Sequence, residues 1–403
     1  MAGEKVRLLV LTSTYPRWAE DSEPAFVHEL CRRLQDRFDV TVLAPHAPGA
    51  LTRETLDGVT VRRYRYLPEP WETLAYDGGI PAKLRRSVLH ALQMPFLVAA
   101  LFLAALSESM HGRYAIVHAH WILPQGLIAV LVKRILPRAP KVVCTAHGAD
   151  IFALNSPPLR SLKSWTLRNV DAQMVVSRAM MQCALDLGAR REDLHVAPMG
   201  VDVSQQFVPP AGGERKSNTV VFAGRLVEKK GLRCLIEAFA VVHHQYPEGR
   251  LIIVGDGPER EGVEQLVGAL RLSECVAFTG AVANREMPSF FQKAAVAVFP
   301  FIIAPGGDRE GLGLVVIEAQ ACACPVIASD LPAVRDSITP GETGLLVPPG
   351  DVPALSAEIL KVLRNPQWAQ ELGRRGRESA CERFGWEQSI ACHSAVLDAV
   401  LSR

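Results

Sequence analysis

The sequence predicts an α/β protein made of two doubly wound parallel-sheet domains in tandem. Short β-branched runs alternate with amphipathic helical stretches from end to end, the runs are apolar throughout, and the alternation breaks only once, near the middle. Continuous apolar strands separated by helices belong to parallel sheets covered on both faces. A chain of 403 residues has room for two such domains of about 200 residues each.

In the first half the predicted strands are 6–13, 39–44, 59–64, 115–120, 141–146, 172–177 and 194–198, with helical segments such as 25–37 and 178–187 between them. Residues 203–218 (VSQQFVPPAGGERKSN) are polar, rich in Pro and Gly, and aperiodic, as a linker should be. Strands resume at 219–224, 250–255, 276–280, 296–300, 325–329 and 344–348. The expected division is therefore 1–203, 204–385 and a final helix, 386–403, whose apolar stripe packs back across the first domain. Ligands of such sheets bind beyond the carboxyl ends of the strands, so two sheets facing each other predict a site in the cleft between them.

Composition narrows the function. With 49% apolar and 21% charged residues the chain reads as an ordinary soluble protein. A net charge of +2 supplies no dominant basic face, so nucleic acid is not an expected partner. The nine cysteines are scattered and odd in number, which predicts no disulfide framework. Cys322 and Cys324 lack a second pair for a zinc site and read as helix-packing residues in a reducing cytoplasm. The N-terminus runs straight into a strand pattern, and no signal peptide is expected. The longest apolar run, 94–106 (MPFLVAALFLAAL), falls short of the roughly 20 residues that span a bilayer. Lys83, Arg85 and Arg86 precede it; basic residues beside an apolar helix suit either a peripheral enzyme on anionic lipid or a buried core helix with a charged start.

The chemistry concentrates in the second domain. In 306–329 (GGDREGLGLVVIEAQACACPVIAS) a glycine-bearing loop opens into an apolar helix followed by a buried strand. Gly311 and Gly313 let the backbone approach a ligand, and the unpaired N–H groups around Leu314 form an anion site at the helix start. Glu318 lies one helical turn beyond Leu314, where a carboxylate can accept from the vicinal hydroxyls of a ribose. Glu310 precedes the helix. In 223–231 (AGRLVEKKG) Arg225 and Lys230 follow a parallel strand; Arg offers a bidentate fork for phosphate and Lys a point charge. Two cations beside a helix-start anion site suit a pyrophosphate.

Glu310 and Glu318 match the E-x7-E motif, and with AGRLVEKKG, VGDGPER (254–260), FTG (278–280) and the segment 325–351 the second domain resembles retaining glycosyltransferases of family 4 throughout. The resemblance implies the GT-B fold, two Rossmann-like domains around a cleft, and metal-independent hexosyl transfer from a nucleotide sugar, with no cofactor and no Asp-x-Asp metal site. It implies diphosphate binding by Arg225 and Lys230, ribose binding by Glu318, sugar contact by Glu310, and capping by the amides of Gly311, Leu312, Gly313 and Leu314. UDP-hexose is the default donor. The acceptor is a sugar, a lipid-linked glycan or a small hydroxyl compound, in polysaccharide or glycolipid synthesis at the inner face of a membrane. Catalytic residues are then His147, Glu310, Arg225 and Lys230.

In the first domain His147 follows the strand KVVCTA, a position that in the resembled family contacts the donor sugar; Asp150 accompanies it. His120, Trp121 and Gln125, in HAHWILPQG (118–126), either line the acceptor pocket or pack the core at a helix start. The loop 13–24 lacks the Gly-Gly pair of many relatives, and no role is assigned within it. Three rivals remain beside the retaining transferase. An inverting GT-B enzyme needs a carboxylate base on the acceptor side. A nucleotide-binding protein without transferase activity does not need Arg225, Lys230, Glu310 and Glu318 intact. A dinucleotide oxidoreductase needs a G-x-G-x-x-G after a first strand, and none is present.

Overall fold

A computed structural model describes residues 5–19, 21, 23–76, 80, 83–84, 87–212 and 218–403. The chain forms two compact units, Met1–Pro198 with Ser389–Arg403, and Met199–Gln388. These divisions fall a few residues from the expected 203/204 and 385/386.

The first unit is an eight-stranded sheet of β1 (Val6–Leu11), β2 (Phe38–Pro45), β3 (Arg53–Leu56), β4 (Val59–Tyr64), β5 (Ile116–His120), β6 (Lys141–Ala146), β7 (Ala172–Val175) and β8 (Leu194–Val196). Their spatial order is β3-β4-β2-β1-β5-β6-β7-β8. All pairings are parallel except β3 with β4. The sequence reading missed β3. Its four residues, RETL, are an edge segment without an apolar run, and the hairpin turns on Asp57 (φ 47°) and Gly58 (φ 83°). An Asp-Gly pair with both φ positive matches a type I′ turn and was the available signal. Chain order reverses between β1 and β5, the switch point at which a doubly wound sheet opens a ligand crevice. The last strand residue of β5 is His120.

The helix Val88–Gly112 corrects the expectation of a short apolar run. It has 25 residues, long and apolar enough to cross a membrane, because His90, Gln93 and Ser107 to His111 continue the helix beyond 94–106. Leu97, Leu101, Ala105 and Ser109 make one buried stripe at every fourth position. The other face is apolar too: Leu92, Phe96 and Leu103 are 60%, 56% and 63% exposed. Lys83 donates to the carbonyls of Thr73 (2.6 Å) and Ala75 (3.3 Å); Arg85 and Arg86 lie outside the described residues.

Residues 389–403 complete the first unit. Ser389 Oγ donates to the Pro198 carbonyl (2.7 Å), Arg37 pairs with Asp398 (2.6 Å), and the His393 ring stands 6.3 Å from that of His118.

The second unit is a wholly parallel sheet of β9 (Thr219–Ala223), β10 (Arg250–Val254), β11 (Val276–Gly280), β12 (Val296–Phe299), β13 (Val326–Ser329) and β14 (Leu345–Val347), ordered β11-β10-β9-β12-β13-β14. All six strands match the sequence reading. Its core is aromatic at the centre: Phe222, Phe239 and Phe299 are fully buried, each contributing about 1.5–3 kcal/mol by burial. The switch point here lies between β9 and β12, so the loops that leave these two strands frame the unit's crevice. The nine cysteines are free; Cys322 and Cys324 are buried packing residues, as the sequence suggested.

Candidate functional site

In the second unit the charged cluster forms where the loops after β9, β10 and β12 converge. The β9 and β10 loops are zipped together, Gly224 N–H to Val254 O (3.0 Å) and Leu226 N–H to Asp256 O (2.9 Å). This approach leaves no room for side chains: a Cβ on Gly255 would stand 2.1 Å from the Gly224 carbonyl oxygen. A short turn, Glu228–Lys230, then ends on Gly231 in the left-handed region (φ 67°), with the Ile302 N–H bonded to the Lys229 carbonyl (2.9 Å).

Two lysines strap the glycine-rich loop to this turn. Lys229 Nζ pairs with Asp308 (3.1 Å) and Lys230 Nζ with Glu310 (2.8 Å), all four side chains being largely buried. Lys230 also sits 4.6 Å from the Phe301 ring centroid, a cation–π contact. Burial alone would raise the Glu310 carboxyl, but Lys230, Lys229 and the Gly311 N–H outweigh it and hold the group at about 2. Glu318 behaves oppositely: burial raises it to about 7, with Lys230 pulling only part of the way back. The two glutamates of the motif therefore differ at neutral pH, one fully ionised and one near its midpoint.

Gly313 is the N-cap of the helix Leu314–Ala321, in the left-handed conformation (φ 77°, ψ 56°), and the first N–H groups of that helix have no partner within it. Leu312 is buried (4% exposed). Arg225 is exposed beyond β9. Lys229 and Asp308 were missed, since nothing local in the sequence links residues 79 positions apart. Among the described residues no three His, Cys, Asp or Glu side chains come together as a metal site.

In the first unit the residues past β5 and β6 meet beside the other switch point. His120 Nδ1 lies 2.8 Å from His147 Nε2. The His147 ring is 4.9 Å from that of Trp121 and 5.2 Å from that of Phe26. Trp121 has φ 75°, a conformation costing a non-glycine residue about 1–3 kcal/mol, of the kind that clusters at functional sites. Asp150 fixes both loops: its carboxylate accepts from the N–H groups of Ile122 (2.9 Å), His147 (3.0 Å) and Gly148 (3.1 Å). Behind it the buried Lys163 ammonium, unforeseen in the sequence, donates to the carbonyls of Ile151 (3.2 Å) and Ala153 (2.7 Å). Burial pushes the His147 imidazole down to about 3 and drives His118 and His120 well below the usual histidine range. His147 is thus neutral at physiological pH, a hydrogen-bonding group rather than a cation.

Of His120, Trp121, Gln125 and Asp150 only Trp121 is partly exposed. His120, Gln125 and Asp150 are buried, which for His120 and Gln125 favours the core-packing alternative. Residues that follow a buried strand can turn inward as readily as outward.

Residues 205–379 match the family model described as glycosyl transferases group 1, and residues 25–205 match that of glycosyltransferase family 4. A GDP-mannose-dependent monoacylated alpha-(1-6)-phosphatidylinositol monomannoside mannosyltransferase of Corynebacterium glutamicum is 30% identical over 66% of this chain and 71% of that protein. The chain belongs to glycosyltransferase family 4. The fold of this glycosyltransferase agrees with solved GT-B structures. Sucrose-phosphate synthase from Thermosynechococcus elongatus superposes with a TM-score of 0.80 at 22% identity, covering 99% of this chain and 100% of that one. Anabaena HepE in complex with UDP-glucose gives 0.74 at 18% identity, with 98% and 100% covered.

Proposed function

We propose that this family 4 enzyme moves a hexose from a nucleoside-diphosphate sugar to a hydroxyl of a sugar, a lipid-linked glycan or a small molecule, retaining anomeric configuration and using no metal ion. The observation that carries the donor half is the Lys230–Glu310 pair, 2.8 Å apart at the switch point of the second sheet. As the glycosidic bond weakens, negative charge grows on the departing diphosphate. Lys230 and Arg225 meet that charge, and a group held in place beforehand stabilises the transition state more than the ground state. The amides of Gly313 and Leu314 cap phosphate or sugar oxygens, Glu310 orients Lys230 and meets the transferred sugar, and neutral His147 hydrogen-bonds a sugar hydroxyl. UDP-hexose is the first donor to test; the HepE complex with UDP-glucose supports it, and the GDP-mannose-dependent relative makes a GDP-sugar the second.

The test is the anomeric configuration of the product, read by proton NMR, from an α-linked nucleotide hexose in EDTA. An α-linked product is expected. A β-linked product overturns retention, and turnover that begins only when magnesium is added overturns the metal-free reading.

Glu318 accepts from the ribose hydroxyls, and its elevated position near 7 gives this a pH signature. A carboxylate accepts where a carboxylic acid accepts poorly, so nucleoside diphosphate affinity should rise as pH climbs from 6 to 8. Glu318→Gln should lower affinity at pH 8 and flatten the excess slope by calorimetry. Equal affinities and slopes in the two proteins would remove the ribose role.

We propose further that the enzyme works on the cytoplasmic side, peripherally on an anionic membrane. The support is the outward apolar stripe of Leu92, Phe96 and Leu103 together with a charge bias. From residue 78 to residue 107 the chain carries Lys83, Arg85 and Arg86 and no carboxylate. Apolar burial and basic attraction add at such a surface. Co-sedimentation with phosphatidylglycerol vesicles should exceed that with phosphatidylcholine and fall in Leu92→Glu/Phe96→Glu. Equal recovery with both vesicle types, or a stable dimer through this face, would replace the proposal.

A further inference from the structure

The first sheet buries a string of histidines whose hydrogen bonds dictate which nitrogen of His147 carries its proton. His118, His120 and His393 are wholly buried. His393 Nδ1 lies 2.8 Å from the Ser389 carbonyl. A carbonyl only accepts, so Nδ1 carries the proton and Nε2, which has no partner among the described residues, is a bare lone pair. The same question arises at His120. Its Nδ1 is 2.8 Å from His147 Nε2, and one of the two must donate. The rings lie within 17° of parallel, with centroids 5.1 Å apart, so the bond runs near both ring planes.

The other nitrogen of His120 decides the direction. Nε2 is sealed from solvent and has no partner among the described residues. Were His147 the donor, His120 would hold its proton on Nε2 and bury an unpaired N–H. With His120 as donor, Nε2 is instead an unmatched lone pair, the arrangement His393 already adopts. Orphaned buried N–H groups are the rarer and costlier of the two. We propose that His120 is a positioning residue that donates from Nδ1 to His147 Nε2 and so fixes His147 as the Nδ1–H tautomer, presenting a neutral N–H donor to an oxygen of the bound sugar. Asp150 completes the device by holding the His147 main chain (3.0 Å), so that both ring orientation and proton position are set before substrate arrives. Burial keeps both rings neutral, which leaves the tautomer as the only variable. The inference rests on the reading of His147 as the sugar contact, while the tautomer assignment does not.

Nitrogen-15 NMR of the full-length enzyme labelled at histidine tests it. The His147 signals are those lost in His147→Gln. In the unsubstituted enzyme they should show a protonated Nδ1 and an unprotonated Nε2. His120→Phe should yield a tautomer mixture and lower kcat by about tenfold, the scale of one lost hydrogen bond, with KM for the donor little changed. His120→Asn, which returns an amide N–H near the Nδ1 position, should recover both the single tautomer and most of kcat, and it serves also if the phenylalanine variant folds poorly. An Nε2–H form of His147 in the unsubstituted enzyme overturns the proposal, as does a single unchanged tautomer in a folded His120→Phe. Full turnover in His147→Ala would refute the sugar contact instead, and leave the tautomer result standing.

Discussion

Lys230→Ala is expected to lower turnover by about 100- to 1,000-fold, the usual cost of removing one fixed donor to a developing anion. The side chain is placed for that role by three independent contacts. Its ammonium is 2.8 Å from Glu310, it lies 4.6 Å from the Phe301 ring centroid, and its backbone N–H bonds to the Val227 carbonyl (2.9 Å). A lysine held this way loses little freedom when diphosphate arrives, so its charge acts on the transition state without reorganisation. Losing it has a second effect. Glu310 stays near 2 through Lys230 first and Lys229 next; with Lys230 gone, burial gains ground and its carboxyl rises. Single-turnover measurement of the nucleoside diphosphate released distinguishes a slower chemical step from weaker binding, and near-normal turnover would dismiss the phosphate role. Arg225→Ala should act in the same direction.

Gly231→Ala is expected to destabilise the second unit by about 2–6 kcal/mol, summing left-handed strain and overpacking. The residue has φ 67°, and a Cβ there would stand 1.8 Å from the Pro300 carbonyl oxygen. Backbone cannot yield as a side-chain tip can, so the loops after β9 and β12 must part, and Lys230, the neighbour of Gly231, moves with them. The melting temperature should fall by roughly 5–15 °C. Gly341→Ala is the control: φ is 77° but nothing lies within 4 Å of its Cβ, so it carries the strain without the clash. Equal losses in the two variants would show that contact with Pro300 contributes nothing.

The sheets were legible because parallel strands are apolar along their whole length. Strand β3 was not, because four polar-edged residues at the margin bury little; only the Asp57-Gly58 turn betrays it. The final helix was assigned to the first unit from its apolar stripe alone, whereas the full length of Val88–Gly112 was hidden by polar residues at both ends of the run. The charged cluster of the second unit was readable because Lys230 and Glu310 sit at fixed offsets from strand and helix ends. The pairings among them were not. Lys229 meets Asp308, and His120 meets His147, across loops brought together by strand order, with His120 paired to Thr145 in the β5–β6 register. Nor does a sequence reveal which way a loop side chain turns, which is why pocket lining and core packing both stayed open for His120 and Gln125, and both are buried.

A nucleoside-diphosphate-sugar site built on Lys230 and Glu318 should stabilise the folded enzyme when occupied, because binding to the folded state raises the melting temperature. The direct measurement is a thermal-shift series of the unsubstituted enzyme and Lys230→Ala, in EDTA, against UDP, GDP, ADP and their hexoses. One nucleotide family should raise the melting temperature of the unsubstituted enzyme, and the rise should shrink or vanish in Lys230→Ala. No rise with any of them, or an equal rise in both proteins, would contradict the account.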